Sequence, residues 1–362
     1  MTEAAAYIAF NLTEQVGSAK VAKLAAAAGS VAAAWEAYPS KVARTGGAVD
    51  WQGELATAAR YGVRILTPAD PDYPARLRAV GGHPLALYVK GDAAVLSKPA
   101  IALVGTRRAT DYGREQAYRF GRDLAADGWA VVSGLALGID AEAHRGALAA
   151  SGVTYGVIGS GLDRFYPEEN RDLAREIVAK GGAVVSEFPF GRPPDLHTFP
   201  IRNRVVAALA SGTLVVEAPM KSGALITAGI AVDLLRTVMA VPGRVDSRMA
   251  AGALHLIREG ATLVRDAADV TEAMGSLVPA RPPQGDGNAE SSAKAAPAEL
   301  PPFNVEESLV MRYVDAEGLS MDELARLTEL PVMKVNSLCM TLRIKGRLRF
   351  LPGNRVALPF RG

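Results

Sequence analysis

The amino-acid sequence predicts an α/β fold built on a doubly wound, mostly parallel sheet, with a smaller module at each end. Three observations carry that expectation. Short β-branched runs recur at residues 101–104, 130–132, 154–158, 183–185, 213–216, 237–241 and 261–264. Helical patterns separate them, as crossover connections between parallel strands demand. The runs are apolar throughout rather than alternating, which is the mark of strands buried on both faces.

In chain order, residues 1–65 are expected to form a small helical domain. Val16-Gly17-Ser18-Ala19-Lys20 followed by Leu24 looks like the turn of a helix-hairpin-helix or SAM-like unit. Gln15 stands where such a turn usually has its first glycine, so a structural role is expected there rather than DNA binding. Residues 66–276 hold the sheet and a lead-in to it. Residues 277–302 read as a flexible linker, because Pro279, Pro282, Pro283, Pro297, Pro301 and Pro302 are scattered among Gly, Ala and Ser with no hydrophobic period. Residues 303–362 carry helical stretches near 305–315, 321–327 and 332–345, then a Leu351-Pro352-Gly353-Asn354 turn between short strands. That order suggests a winged-helix domain.

Composition narrows the function. Of 362 residues 49% are hydrophobic and 22% charged, enough apolar material for a core. Forty Lys and Arg against thirty-eight Asp and Glu leave a net +2, so any basic site must be local. Cys339 is the only cysteine, which excludes intrachain disulfides, thiolate zinc clusters and iron–sulfur ligation and points to a reducing compartment, the cytoplasm. The four histidines are dispersed, which argues against a metal site, and no cofactor is expected. Lys20, Lys23, Glu36 and Arg44 break the alanine-rich stretches, and residues 1–10 lack a basic segment followed by an apolar one. No membrane span and no signal peptide is expected.

In open α/β sheets ligands gather at the carboxyl ends of the strands, where loops enter helix N-termini. The first such loop, Val104-Gly105-Thr106-Arg107-Arg108, is a glycine turn with two arginines, suited to phosphate unless the arginines are merely solvated. It lacks G-x-G-x-x-G, which removes support for NAD or FAD. The second, from Ser133-Gly134 to Gly138-Ile139-Asp140, lets backbone approach a ligand, and Ser133 can donate a hydrogen bond. Asp140 and His144 nearby invite a hydrolase reading. Their i, i+4 spacing puts both on one helix face, however, and no G-x-S-x-G elbow is present, so capping and packing roles are expected.

The third loop is Gly159-Ser160-Gly161. Then comes Phe199-Pro200-Ile201-Arg202-Asn203-Arg204, where Pro200 suits a first helical turn and sets both arginines near a positive helix end. An anionic ligand compensates them there, or carboxylates such as Glu187 or Glu217 do. Lys221-Ser222-Gly223 enters a further helix without P-loop spacing, so ATPase activity is not expected. Together these loops read as a cradle for backbone phosphates and not as a catalytic set. Phe165, Tyr166, Phe188, Phe190 and Phe199 lie in the same loops, either stacking bases or covering the core.

At the C-terminus Lys334, Arg343, Lys345, Arg347, Arg349, Arg355 and Arg361 follow one another with no Asp or Glu among them. A basic winged helix binds duplex DNA, or is a degraded reader, or contacts protein.

The ordered segments VGTRRATDYG, SGLALGIDAEAH, GSGLDRFYPEEN, SEFPFG, FPIRNRVVAALA, VVEAPMKSGALITA and VMAVPG, between residues 104 and 243, resemble the DNA-processing protein A family, also called DprA or Smf. Asp70-Pro71-Asp72-Tyr73-Pro74 and residues 85–91 look like its lead-in. The resemblance implies a Rossmann-like homodimer that binds single-stranded DNA, protects it, and passes it to RecA recombinase past single-strand-binding protein during natural transformation. It implies no catalysed reaction. It places DNA contacts at Arg107, Gly134, Ser160, Gly161, Asn203, Arg204, Lys221 and Ser222. Leu254 stands where the family has an Asn, so hydrogen bonding at that position is not expected.

The alternative is a nucleotide-processing hydrolase of the lysine-decarboxylase-like superfamily, whose P-G-G-x-G-T-x-x-E signature needs a glutamate early in the helix after the fifth strand. That stretch reads Ala224-Leu225-Ile226-Thr227, without a carboxylate.

Overall fold

The computed structural model describes residues 1–13, 15–38, 42–44, 46–275, 305–315, 318–344, 348–351 and 355–358. The expected linker at 277–302, the turn at 352–354, and Lys345, Arg347 and Arg361 lie outside them. The chain divides into two compact units, Met1–Pro283 and Gln284–Gly362.

The first unit is organised by a nine-stranded sheet: β1 (Arg64–Leu66), β2 (Leu87–Gly91), β3 (Ala100–Val104), β4 (Ala130–Ser133), β5 (Thr154–Val157), β6 (Ala183–Ser186), β7 (Gly212–Val215), β8 (Thr237–Ala240) and β9 (Thr262–Leu263). Their order is β1-β2-β6-β5-β4-β3-β7-β8-β9. Every pairing from β6 through to β9 is parallel, whereas β2 runs antiparallel to β6 and β1 antiparallel to β2. The seven runs expected from sequence are the parallel strands. The antiparallel pair comes from the lead-in and extends one edge.

The helices of this unit are α1 (Glu3–Leu12), α2 (Ser18–Ala28), α3 (Val31–Ala37), α4 (Trp51–Tyr61), α5 (Ala75–Arg78), α6 (Asp111–Ala126), α7 (Ile139–Ala149), α8 (Arg171–Ala179), α9 (Thr198–Leu209), α10 (Gly223–Asp233), α11 (Ala251–Arg258) and α12 (Ala267–Met274). Strand residues alternate between the two helix layers, as a period of two requires. Ile101, Leu103, Leu214 and Met239 pack with residues of α6, α7 and α12, while Ala102, Val104, Val215 and Ala240 pack with α9 and α10. Around the N-terminal helices, Phe10 meets Trp35 edge-on at 5.1 Å between ring centroids. The Glu3 carboxylate accepts from the Val31 and Ala32 amides at 3.1 and 3.0 Å, which caps α3.

The second unit contains α13 (Val305–Tyr313), α14 (Met321–Thr328) and α15 (Val332–Ile344) with a three-stranded antiparallel sheet of β10 (Leu319–Ser320), β11 (Arg349–Leu351) and β12 (Arg355–Ala357). Ser320 and Glu323 form a capping box at the start of α14. Three helices followed by a β-hairpin constitute a winged helix.

Candidate nucleic-acid interface

Val104 pairs with Val215 at the carboxyl edge, and the chain leaves β3 for α6 on one face and β7 for α10 on the other. Such a reversal opens a crevice, here of about 420 Å³. Gly105 forms its floor: a Cβ there would sit 2.4 Å from Ile139 Cγ1 and 2.8 Å from the Glu217 carbonyl oxygen. The Thr106 amide donates to that carbonyl at 2.7 Å, so the turn is tied to the neighbouring strand end. The Glu217 carboxylate turns away and accepts from the Thr110 amide and hydroxyl at 2.9 and 2.7 Å, fixing the start of α6.

One wall is α9, which presents Phe199, Arg202, Asn203 and Val206 at i, i+3, i+4 and i+7. Arg202 is only 6% exposed and donates through Nη1 to the Val157 carbonyl at 3.0 Å. Its guanidinium fills the space beside Gly134, where a Cβ would lie 1.5 Å from Nη1. Burial lowers the Arg202 pKa to about 10, which leaves it cationic at neutral pH, and its Nε has no hydrogen-bond partner among the described residues. Asp140 accepts from the Gly134 and Ala136 amides at 3.0 and 3.4 Å. Burial raises its carboxyl pKa, with Arg202 pulling in the opposite direction.

The outer rim is exposed and basic. The Arg107 guanidinium stands 4.7 Å over the Phe199 ring, and Phe199 lies 6.0 Å from Tyr166. Arg107, Arg108 and Lys221 are exposed and form no ion pair among the described residues. With Arg202 they set four cations in the lining against the single carboxylate of Asp140. Ser222 caps α10 by accepting from the Ala224 amide at 3.3 Å, and Asn203 donates to the Gly223 carbonyl at 3.3 Å, which fixes α9 to that helix start.

All the residues expected at the main site line this crevice except Ser133, Ser160, Gly161 and Arg204. The Ser133 hydroxyl is buried and donates to the Leu103 carbonyl at 2.6 Å, so the sheet consumes the donor expected for a ligand. Ser160 is buried, and its carbonyl accepts from the Ser186 hydroxyl at 2.7 Å. Gly161 packs under the Pro189 carbonyl, 2.5 Å from where a Cβ would be, and donates to Arg192. Arg204 pairs with the nearly buried Glu187 and donates to the Gly82 carbonyl. Of the two carboxylates weighed from sequence, Glu187 takes this arginine and Glu217 takes neither. α9 begins at Thr198, which puts Arg202 and Arg204 beyond its first turn, so the dipole clash expected from Pro200 does not arise.

His144 is fully buried with Nδ1 2.6 Å from the Thr154 hydroxyl, and burial lowers its pKa to about 3. It does not line the crevice, which leaves Asp140 and His144 without a shared catalytic geometry. Sequence reading missed the apolar rim, where Leu196 is 84% and Ile226 48% exposed. Exposure of an apolar side chain has no local sequence signal. In the winged helix, Lys334 is exposed and pairs with Glu306, while for Arg343 and Arg349 only the backbone is described. Among the described residues no cluster of His, Cys, Asp or Glu suits a metal, and no helix is long and apolar enough to cross a membrane.

Residues 64–275 match the family model described as DNA recombination-mediator protein A, and residues 292–354 match that of the DprA winged helix domain. The chain is 35% identical over 316 residues to Protein Smf of Synechocystis sp., covering 81% of this chain and 79% of that protein. Its fold is similar to the X-ray structure of DNA processing protein A from Streptococcus pneumoniae, with a TM-score of 0.62 and 32% identity over 75% of this chain and 98% of the other. It is also similar to DNA processing protein A from Helicobacter pylori, with a TM-score of 0.54 and 28% identity over 60% of this chain and 97% of the other. That structure was described for its mode of single-stranded DNA binding.

Proposed function

This chain belongs to the DNA recombination-mediator protein A family, and from that premise we propose that it grips single-stranded DNA in the crevice between β3 and β7. The observation that carries this reading is a lining with four cations and one carboxylate, beside the half-buried Phe199 ring under Arg107 and the exposed Tyr166. Arg107, Arg108 and Lys221 take phosphates, with Gly105 and the start of α10 allowing the backbone to come close. Phe199 and Tyr166 take unstacked bases, which a duplex keeps paired and out of reach. Sequence preference is accordingly slight.

The wider role follows the family. The protein protects an incoming strand and delivers it to RecA recombinase past single-strand-binding protein, as a cytoplasmic homodimer joined through the sheet domain, and catalyses no reaction. Duplex DNA is a secondary ligand of the winged helix through Lys334, Arg343, Lys345, Arg347 and Arg349. A fluorescence-anisotropy titration of the full chain with a labelled oligo-dT and with a duplex of equal length tests the core of this. The single strand is expected to bind at least about tenfold tighter. Equal affinity, or release of free base from a nucleotide substrate, would replace this reading with a duplex reader or a hydrolase.

A further inference from the structure

We propose that a second cleft, beside α8 at the β6–β2 side of the sheet, docks an acidic peptide segment that carries a bulky apolar residue. This cleft, of about 330 Å³, shares no lining residue with the DNA crevice, so the proposal stands independently of the DNA reading. Tyr61, Leu162, Phe165 and Val178 give it an apolar wall, with Val63 and Ala174 buried in its floor. Its lining has three cations, Lys90, Arg171 and Arg175, and no carboxylate.

Lys90 and Arg175 are available to a ligand. Arg171 and Arg175 each pair with an acid three residues earlier, Glu168 and Asp172, on side chains between 39% and 91% exposed. Asp172 holds Arg175 by a single exposed contact that an incoming carboxylate replaces at little cost, whereas Glu168 grips the Arg171 guanidinium through both its oxygens. The Arg171 guanidinium also lies 5.7 Å over the Phe165 ring, which holds positive charge at the lip of the apolar wall. Lys90 donates to the Tyr61 carbonyl and has further donors to offer. An apolar floor under a cationic rim is complementary to an apolar anchor flanked by acids.

The test uses the full chain and a fluorescein-labelled peptide of sequence Asp-Asp-Phe-Asp-Asp with an amidated carboxyl end, read by anisotropy. Saturable binding is expected, weakened by about tenfold or more when the Asp residues become Asn or the Phe becomes Gly. Lys90→Glu and Arg175→Glu, both at exposed positions, are each expected to weaken it about fivefold or more while oligo-dT binding and the melting temperature stay at parent values. Absence of saturable binding overturns the proposal. So do unchanged affinity in both variants, displacement of the peptide by oligo-dT, and an equally tight complex with decanoate, which would make the cleft a small-amphiphile site.

Discussion

Arg202 and Arg204 are two positions apart, and about 200° of rotation along α9 sends them to opposite sides of the helix. Arg202 enters the crevice, and the half-buried Arg204 pairs with Glu187 on the other side. Their neighbours at the rim set the first expected outcome. Arg107→Ala and Lys221→Ala should each lower oligo-dT affinity and flatten the dependence of log K on log salt by about 0.7, the share of one phosphate on a single strand. Arg204→Ala should leave that slope unchanged. It should instead lower stability by about 2 kcal/mol above pH 7 in urea unfolding, because Glu187, raised to about 7 by burial even with Arg204 and Arg44 pulling it down, loses the first of those cations and costs more to ionise. His144 gives an acid limb: its pKa is about 3 when folded, against an ordinary histidine value of 6.5. As pH falls through 6.5 the unfolded chain takes up a proton that the folded one refuses, so this stability is present above that pH and drains away toward 3. Between pH 6.5 and 5 the loss is about 2 kcal/mol, and His144→Gln should flatten it when unfolding is followed at both pH values.

α6 and α7 pack backbone to backbone. A Cβ on Gly121 would come within 2.2 Å of the Ala143 carbonyl, and one on Gly146 within 2.0 Å of the Tyr118 carbonyl. Neither contact is the end of a flexible side chain, so the helices themselves must part. Gly146→Ala is expected to cost about 3 kcal/mol of stability despite the better helix propensity of alanine, measurable as a fall in the urea midpoint. The parallel strands were legible because burial on both faces makes their runs apolar and crossover helices space them evenly. β1 and β2 were not, since an antiparallel edge pair needs no crossover helix and their three and five residues sit among prolines and glycines of the lead-in.

The two compact units assign the crevice wholly to Met1–Pro283. A chain stopped after residue 283 is therefore expected to keep oligo-dT affinity within about threefold of the full chain, in the same anisotropy titration, if the winged helix reads a different ligand. The candidate site was legible in outline because glycine turns at strand ends are local features: Gly105, Gly134 and Lys221-Ser222 announce themselves within a few residues. Which cations line the crevice was not, since their partners are distant in sequence. Glu187 lies 17 residues from Arg204, and the Glu217 carboxylate that anchors Thr110 comes from 107 residues away. By itself the sequence determined the parallel strands, the helices between them, the glycine turns and the family. The tertiary structure alone decided that Arg202 and not Arg204 enters the crevice, and that Ser133 serves the sheet. Short-range periodicity specifies an element, whereas the direction and charge balance of a side chain depend on which remote strand ends the sheet order brings beside it.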